Sequence, residues 1–289
     1  AIGAATKLAS LTLDGAATLN AGSIATTGNQ HYKGPVTLVR DHTLSATTGG
    51  VAFDGALDST HDLHVVSTAG GDVSFDAVGS AMQRLGSLTV DTAGTTAFNG
   101  AVYAASVQTD DPGAVTITGE RVDTTGVMRF GELVTLGGNV TLKGASVTLA
   151  GGANATDERQ GLTIEGPATI NGPVGAGANG RLAYLTVDGD ATLGGGPLKT
   201  VGEQSYEGKV ELSGNAQLST ADAKVTFNDT VTSGNGSSLT VSSGSGDVRF
   251  AEQVGDAATG RLGALAVNSN GATTFEKAVI LTSYGMTEW

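Results

Sequence analysis

The chain repeats itself, and this feature constrains its fold more than any other. The segment LASLTLDGAATL at 8–19 returns as LAYLTVDGDATL at 182–193. The segment RLGSLTVDTAGTTAFNGAV at 84–102 returns as RLGALAVNSNGATTFEKAV at 261–279. Self-similarity on this scale is typical of arrays in which each unit packs mainly on its neighbours. We therefore predict one continuous array over residues 1–289, with modules that start near 8, 85, 182 and 262.

A shorter repeat lies within the modules. Large apolar residues recur 22, 23, 19 and 19 residues apart at Phe53, Phe75, Phe98, Ile117 and Leu136. This spacing is typical of one coil of a β-solenoid, in which each short strand pairs with its counterpart one coil further on. At about 20–23 residues per coil the chain forms roughly 13 coils, a rod about 60 Å long. The predicted fold class is all-β, a parallel β-helix.

Alternating triplets predict the individual strands. Helical periodicity is nearly absent, whereas triplets with two inward apolar residues and one outward residue, very often threonine, recur throughout. The inward pairs are Leu11/Leu13, Val36/Leu38, Val51/Phe53, Leu63/Val65, Val73/Phe75, Leu88/Val90, Val115/Ile117, Val134/Leu136, Val140/Leu142, Val147/Leu149, Leu162/Ile164, Leu185/Val187, Val225/Phe227, Leu239/Val241 and Val248/Phe250. The 45 glycines suit the many tight turns that such short strands require.

The net charge and the composition limit the classes of partner that the chain can bind. With 15 basic and 28 acidic residues the net charge is -13, so the surface repels nucleic acids and anionic lipids. The longest apolar stretches are far shorter than the roughly 20 residues needed to span a bilayer. We expect no nucleic-acid partner and no direct membrane insertion. The absence of cysteine excludes disulfides and thiolate sites and favours an extracellular location.

A pair of carboxylates offers the one enzymatic alternative. Asp110 and Asp111 are adjacent, and acids on neighbouring coils of one face are used by β-helical polysaccharide lyases and hydrolases. The residues expected one coil away are Asp91 on one side and Glu132, with Arg129, on the other. The order Asp-Asp-Pro-Gly is also that of an ordinary turn, and we favour the turn over the enzymatic alternative.

The histidines could indicate a metal site, but their pattern favours ordinary surface residues. His61 and His64 flank Asp62, but His64 alternates with Leu63 and Val65 and should face outward. The aligned stretch at 233–241 contains no histidine. We assign no catalytic residue, no cofactor and no metal site.

The repeat style resembles that of large exported bacterial surface proteins. The runs AATLNAGSIATTGNQHYKGPVTL, GGVAFDGALDSTHDLHVVSTAGGDVSFDAVG and LGSLTVDTAGTTAFNGAV are similar to the repeat regions of filamentous-haemagglutinin-like and autotransporter-type adhesins. The resemblance covers the whole chain. It implies a right-handed β-helix, secretion to the bacterial cell surface, and a role in attachment or in cell-cell and biofilm cohesion, with glycans or cell-surface receptors as partners.

The leading functional hypothesis is therefore a structural and adhesive shaft. The N-terminal AIGAATKLAS lacks the pattern of a signal peptide, and no secretion domain or membrane barrel is visible, so we expect a segment of a longer protein. The alternative is a β-helical carbohydrate-active enzyme that uses a groove near Asp110 and Asp111. A further alternative is a self-assembling extracellular fibre, because solenoid ends expose unpaired strands that promote end-to-end or lateral association.

Overall fold

A computed structural model describes residues 1–110, 112–256, 258 and 260–282 as an all-β parallel solenoid. All the regular elements of these residues are strands, numbered β1 to β34 in chain order, and every strand pairing is parallel. Val51, for example, pairs with Val73 one coil further on. The solenoid makes about 12 turns. The predicted fold class is confirmed. The number of turns is slightly below the roughly 13 coils expected, because some coils carry longer loops.

Successive strands of each coil lie on three faces, and each face is a ladder that runs along the rod. Face 1 contains β1 (Leu11–Leu13), β4 (Gln30–Tyr32), β7 (Val51–Phe53), β10 (Val73–Phe75), β12 (Thr95–Phe98), β14 (Ala114–Ile117), β17 (Val134–Leu136), β20 (Ala153–Ala155), β25 (Pro197–Lys199), β28 (Ala216–Ser219), β31 (Leu239–Gly244) and β33 (Leu265–Ser269). Val174 bridges β20 to β25.

Faces 2 and 3 are built in the same way and share the long strand β13. Face 2 contains β2 (Ala17–Leu19), β5 (Val36–Leu38), β8 (Leu57–Asp58), β13 (Val102–Thr109), β15 (Arg121–Thr124), β18 (Val140–Lys143), β21 (Leu162–Glu165), β23 (Leu185–Val187), β26 (Gln204–Tyr206), β29 (Val225–Phe227), β32 (Val248–Phe250) and β34 (Thr273–Phe275). Face 3 contains β3 (Ser23–Thr26), β6 (His42–Ala46), β9 (Leu63–Ser67), β11 (Leu85–Thr92), β16 (Val127–Phe130), β19 (Ser146–Leu149), β22 (Ala168–Ile170), β24 (Ala191–Leu193), β27 (Val210–Leu212) and β30 (Val231–Thr232).

All fifteen predicted triplets lie in strands, and their apolar residues point inward. Fourteen pairs are buried, whereas Leu11 and Leu13 are half-buried because they lie at the first turn of the rod. The residue between each pair faces outward, as the alternation of side chains along a strand requires. Thr141, Thr163 and Thr186 are register partners on face 2 and form an outward ladder.

Two aromatic ladders run through the core. In the first, Tyr32, Phe53, Phe75 and Phe98 stack with ring centroids 4.8, 5.3 and 5.7 Å apart. In the second, the centroids of Tyr206, Phe227, Phe250 and Phe275 are 5.2, 4.8 and 4.9 Å apart. Each stack follows the coil spacing, because each ring occupies the same inward position one coil after the last.

A buried polar cluster begins each ladder. The Tyr206 hydroxyl donates to Gln204 Oε1 at 3.1 Å, and Gln204 Nε2 donates to the carbonyl oxygens of Leu198 and Ser219 at 3.0 and 3.1 Å. Gln204 and Tyr206 are fully buried, so these hydrogen bonds replace those that water would make. Tyr32, Gln30, Ile24 and Ser45 form the same cluster in the first module.

An out-loop, a short loop that leaves the coil and returns to the same neighbouring strand, immediately precedes the start of each module. At 175–181 the flanking Val174 and Leu182 bridge to Leu198 and Thr200 of the next coil. Gly175 starts this loop with a φ of 67°, and a Cβ there would lie 2.1 Å from the carbonyl oxygen of Lys199. Only glycine fits this position without strain. The corresponding glycines that start the other out-loops are Gly3, Gly79 and Gly255, all with positive φ.

The modules are offset around the rod. β1 of the first module lies on face 1, but the equivalent strand of the third module, β23, lies on face 2. The chain makes eight full turns and passes on to the next face between the two strands. The same offset separates β11 on face 3 from the repeat strand β33 on face 1. Equivalent residues of related modules therefore point in directions about a third of a turn apart.

Candidate functional site

Charged side chains concentrate on face 2 near the middle of the rod. Arg84, at the end of the second out-loop, lies 2.8 Å from Asp123, and Arg121 lies 3.0 Å from the same carboxylate. Arg121 also reaches Glu165 at 2.9 Å, two coils further on, and Lys143 lies 3.8 Å from Glu165. These five residues form one network, which we call the charged patch.

Asp123 is the centre of the charged patch. Burial of its carboxylate favours the neutral form, but hydrogen bonds from Arg84 and Arg121 outweigh this effect and hold the pKa of Asp123 below its usual value. The hydrogen bond to Glu165 is the main reason that the pKa of Arg121 is raised. Asp123 and Arg121 are therefore both charged at neutral pH, and the two ion pairs of Arg121 fix its guanidinium in position.

An acidic stack continues from the patch along face 2. Asp188 follows Val187, the register partner of Ile164 and Tyr206, so it lies between Glu165 and Glu207 on the adjacent coils. Burial and, after it, the two glutamates raise the pKa of Asp188. Glu207 accepts hydrogen bonds from Ser205 and Asn228 at 2.6 and 2.7 Å. Within the described residues, no group of three or more His, Cys, Asp or Glu could hold a metal ion.

A groove of about 520 Å³ lies beside the charged patch, where the coil turns from face 1 to face 2. Its lining includes Glu120, Arg121, Asn139, Thr141 and the ring of Tyr184. These residues come from three different coils, so only the solenoid brings them together. The groove places one aromatic surface beside several polar side chains.

Tyr184 departs from the repeat. It is the third residue of its module, and the equivalent residues of the other modules are Ser10, Ser87 and Ala264. Its ring lies over Gly161, where a Cβ would be 2.0 Å from Cε1 of the ring. Tyr184 is not among the residues singled out from the sequence, although the break in the repeat at LAYL is a signal that could have found it.

The acids of the enzymatic alternative lie elsewhere. Asp110 follows β13 at the end of face 3, and Asp111 lies outside the described residues. Glu132, expected one coil away, is 3% exposed and accepts a hydrogen bond from Thr109. Its carboxylate is therefore directed into the solenoid rather than toward an open cleft.

The other predicted acid and the histidines form pairs between coils. Asp91 lies 2.5 Å from His64 Nε2, and this contact confirms that His64 faces outward. His61 Nδ1 lies 3.6 Å from Asp41. The two pairs use different carboxylates on different coils, so His61 and His64 do not converge on Asp62. Arg129 lies on face 3 between the register partners Gln108 and Thr148.

In comparisons with known proteins, no family model, no curated protein and no solved structure matches the chain. The described part of the chain contains no helix that is long and apolar enough to cross a membrane.

Proposed function

We propose that this chain is a structural and adhesive shaft segment of an exported bacterial surface protein, one that mediates attachment or cohesion between cells. The repeat style described above supports the bacterial surface location, and the absence of cysteine accords with it. In this role the chain supplies length, stiffness and a repetitive surface, and its partners are glycans or cell-surface receptors.

One observation carries the proposal: the repeats preserve the interior and vary the surface. Tyr32 and Tyr206 are equivalent and fully buried, as are Phe53 and Phe227. The outward residue between the inward pairs, in contrast, changes at many positions. Equivalent outward pairs include His31 and Ser205, Thr37 and Glu211, Ala52 and Thr226, and Ser74 and Arg249. A repeat that maintains stacking rather than a set of reactive groups is suited to a shaft.

The proposal is tested with the purified chain coupled to beads. We expect coated beads to attach to cell layers or to bacteria more than beads coated with an unrelated β-solenoid. In parallel, the free chain is incubated with a panel of polysaccharides and the release of reducing ends is measured. Release of reducing ends without attachment of the beads would overturn the shaft and favour the carbohydrate-active enzyme.

A further inference from the structure

We propose that the groove beneath Tyr184 is a binding site for a neutral, hexopyranose-containing oligosaccharide. The Tyr184 ring supplies a platform for the apolar face of one sugar, and the polar residues below it bind the hydroxyl groups. This inference names a ligand for the adhesive role and rests on that proposed function.

The aromatic residues of the described chain point to this groove. Almost all of them belong to the two core ladders or pack against them, as Phe130 does against Phe98. Among the phenylalanine and tyrosine residues that the structure describes, only Tyr103 and Tyr184 face outward. Tyr103 is covered by Arg84, whose guanidinium carbon lies 5.5 Å from the ring centroid. Tyr184 instead lines an open groove, where a planar apolar ligand surface can stack on it.

The Tyr184 ring is held in place before any ligand arrives. It is the third residue after the third out-loop, and Ala183 N–H donates to the Gln160 carbonyl at 2.8 Å. The ring rests on Gly161, the position where any larger residue would displace it. A ring braced by backbone loses little conformational freedom when a ligand stacks on it.

The polar groups of the groove are also held in place. Asn139 Oδ1 accepts a hydrogen bond from the Gly161 N–H at 2.8 Å, which orients the amide group. Arg121 is fixed by Asp123 and Glu165, and Glu120 and Thr141 also line the groove. Together these side chains offer both donors and acceptors, which suits hydroxyl groups because a hydroxyl both donates and accepts.

Charge selects a neutral ligand over an acidic one. Arg121 is matched by Asp123 and Glu165, and Lys143 is matched by Glu165. Glu120 adds a further negative charge, and the whole chain carries -13. A sugar carboxylate or sulfate would have to displace an existing ion pair against this field. A neutral hexose only requires hydrogen bonds.

Saturation-transfer NMR and titration calorimetry with maltotetraose, cellotetraose, chitotetraose and a mannotetraose test the site. We expect at least one of these probes to bind, Tyr184→Ser to weaken binding about tenfold or more, and Tyr184→Phe to retain it. Tyr184→Ser introduces the residue found in the first two modules, so the variant should fold, which circular dichroism verifies. Met82→Ser is the control, because Met82 is a fully exposed apolar residue of another out-loop.

Two results would overturn the site. If the wild-type chain binds none of the four probes, or if Tyr184→Ser binds as tightly as the wild type, the groove is not a neutral glycan site. The bead assay separates this failure from failure of the adhesive role. Attachment that persists in Tyr184→Ser leaves the shaft function in place without the groove, whereas absence of attachment in the wild type counts against the function itself.

Discussion

At the scale of single residues, the polar side chains that begin the aromatic ladders are buried with their hydrogen bonds satisfied. Gln204 is fully buried and each polar atom of its amide has a partner in Tyr206, Leu198 or Ser219. Burial strongly raises the pKa of the Tyr206 hydroxyl, so it stays protonated and remains a donor. The polar cluster thus specifies where the aromatic ladder begins.

Removing the Tyr206 hydroxyl should destabilise the protein. In Tyr206→Phe, Gln204 Oε1 loses its donor in a fully buried place, and an unsatisfied buried acceptor costs about 1–3 kcal/mol. Urea unfolding followed by circular dichroism measures the loss. Tyr184→Phe is the matched control, because the same change at the half-buried Tyr184 should alter stability by less than about 0.5 kcal/mol. Equal effects of the two variants would contradict a special role for the cluster.

Because of the acidic stack, the titration of Asp188 makes the stability of the protein depend on pH. The pKa of Asp188 is raised by burial and by Glu165 and Glu207, so its contribution to stability is present at low pH and is lost as the pH rises. Asp188→Asn should therefore raise the midpoint of thermal unfolding at pH 7 and have little effect near pH 3. A larger rise in the midpoint of thermal unfolding at pH 3 than at pH 7 would contradict this electrostatic interpretation. Asp58→Asn serves as the control, since Asp58 pairs in register with Thr37 rather than with an acid.

At the scale of elements, each coil is stabilised by the two coils it touches. A ring inside an aromatic ladder therefore has two stacking partners, whereas a ring at an end has one. Phe227 is fully buried between Tyr206 and Phe250. Phe275, in the last described strand of face 2, stacks on Phe250 and is 40% exposed.

This difference predicts unequal costs for the same substitution. Phe227→Ala should destabilise the protein by about 3–5 kcal/mol, as expected for a large cavity in a packed core. Phe275→Ala should cost less than half as much, because part of its surface is already exposed to solvent. Equilibrium unfolding in guanidinium compares the two variants. A cost for Phe275→Ala that equals the cost for Phe227→Ala would show that further packing covers this end of the ladder.

At the scale of the whole molecule, the rod presents related surfaces in several directions. The out-loops start on face 3, face 2, face 1 and again face 3, at Gly3, Gly79, Gly175 and Gly255. Because related modules are offset by eight turns and one face, no single side of the rod collects all equivalent residues. Such a surface is compatible with the proposed contacts to partners on all sides of the rod.

The stacked architecture also predicts how the rod fails under tension. Pulled from both ends, it should unravel coil by coil, since each coil is bonded only to its neighbours. One coil of about 22 residues releases about 7 nm of chain. Force spectroscopy should therefore show steps near this length or its small multiples. A single step of about 100 nm would contradict coil-by-coil unravelling.

The sequence by itself determined the fold class and, through fifteen alternating triplets, the inward residues of the strands that contain them. Alternation within a triplet such as Val225–Phe227 is local, and a solenoid reuses the same inward pattern in every coil, so stacking adds no conflicting demand. The three-face geometry and the contacts between coils were decided only by the tertiary structure. Arg84 meets Asp123, and Arg121 meets Glu165, across 39 and 44 residues. The side chains that meet depend on the number of residues in each coil and out-loop. Insertion or deletion of one residue would place different side chains beside Tyr184.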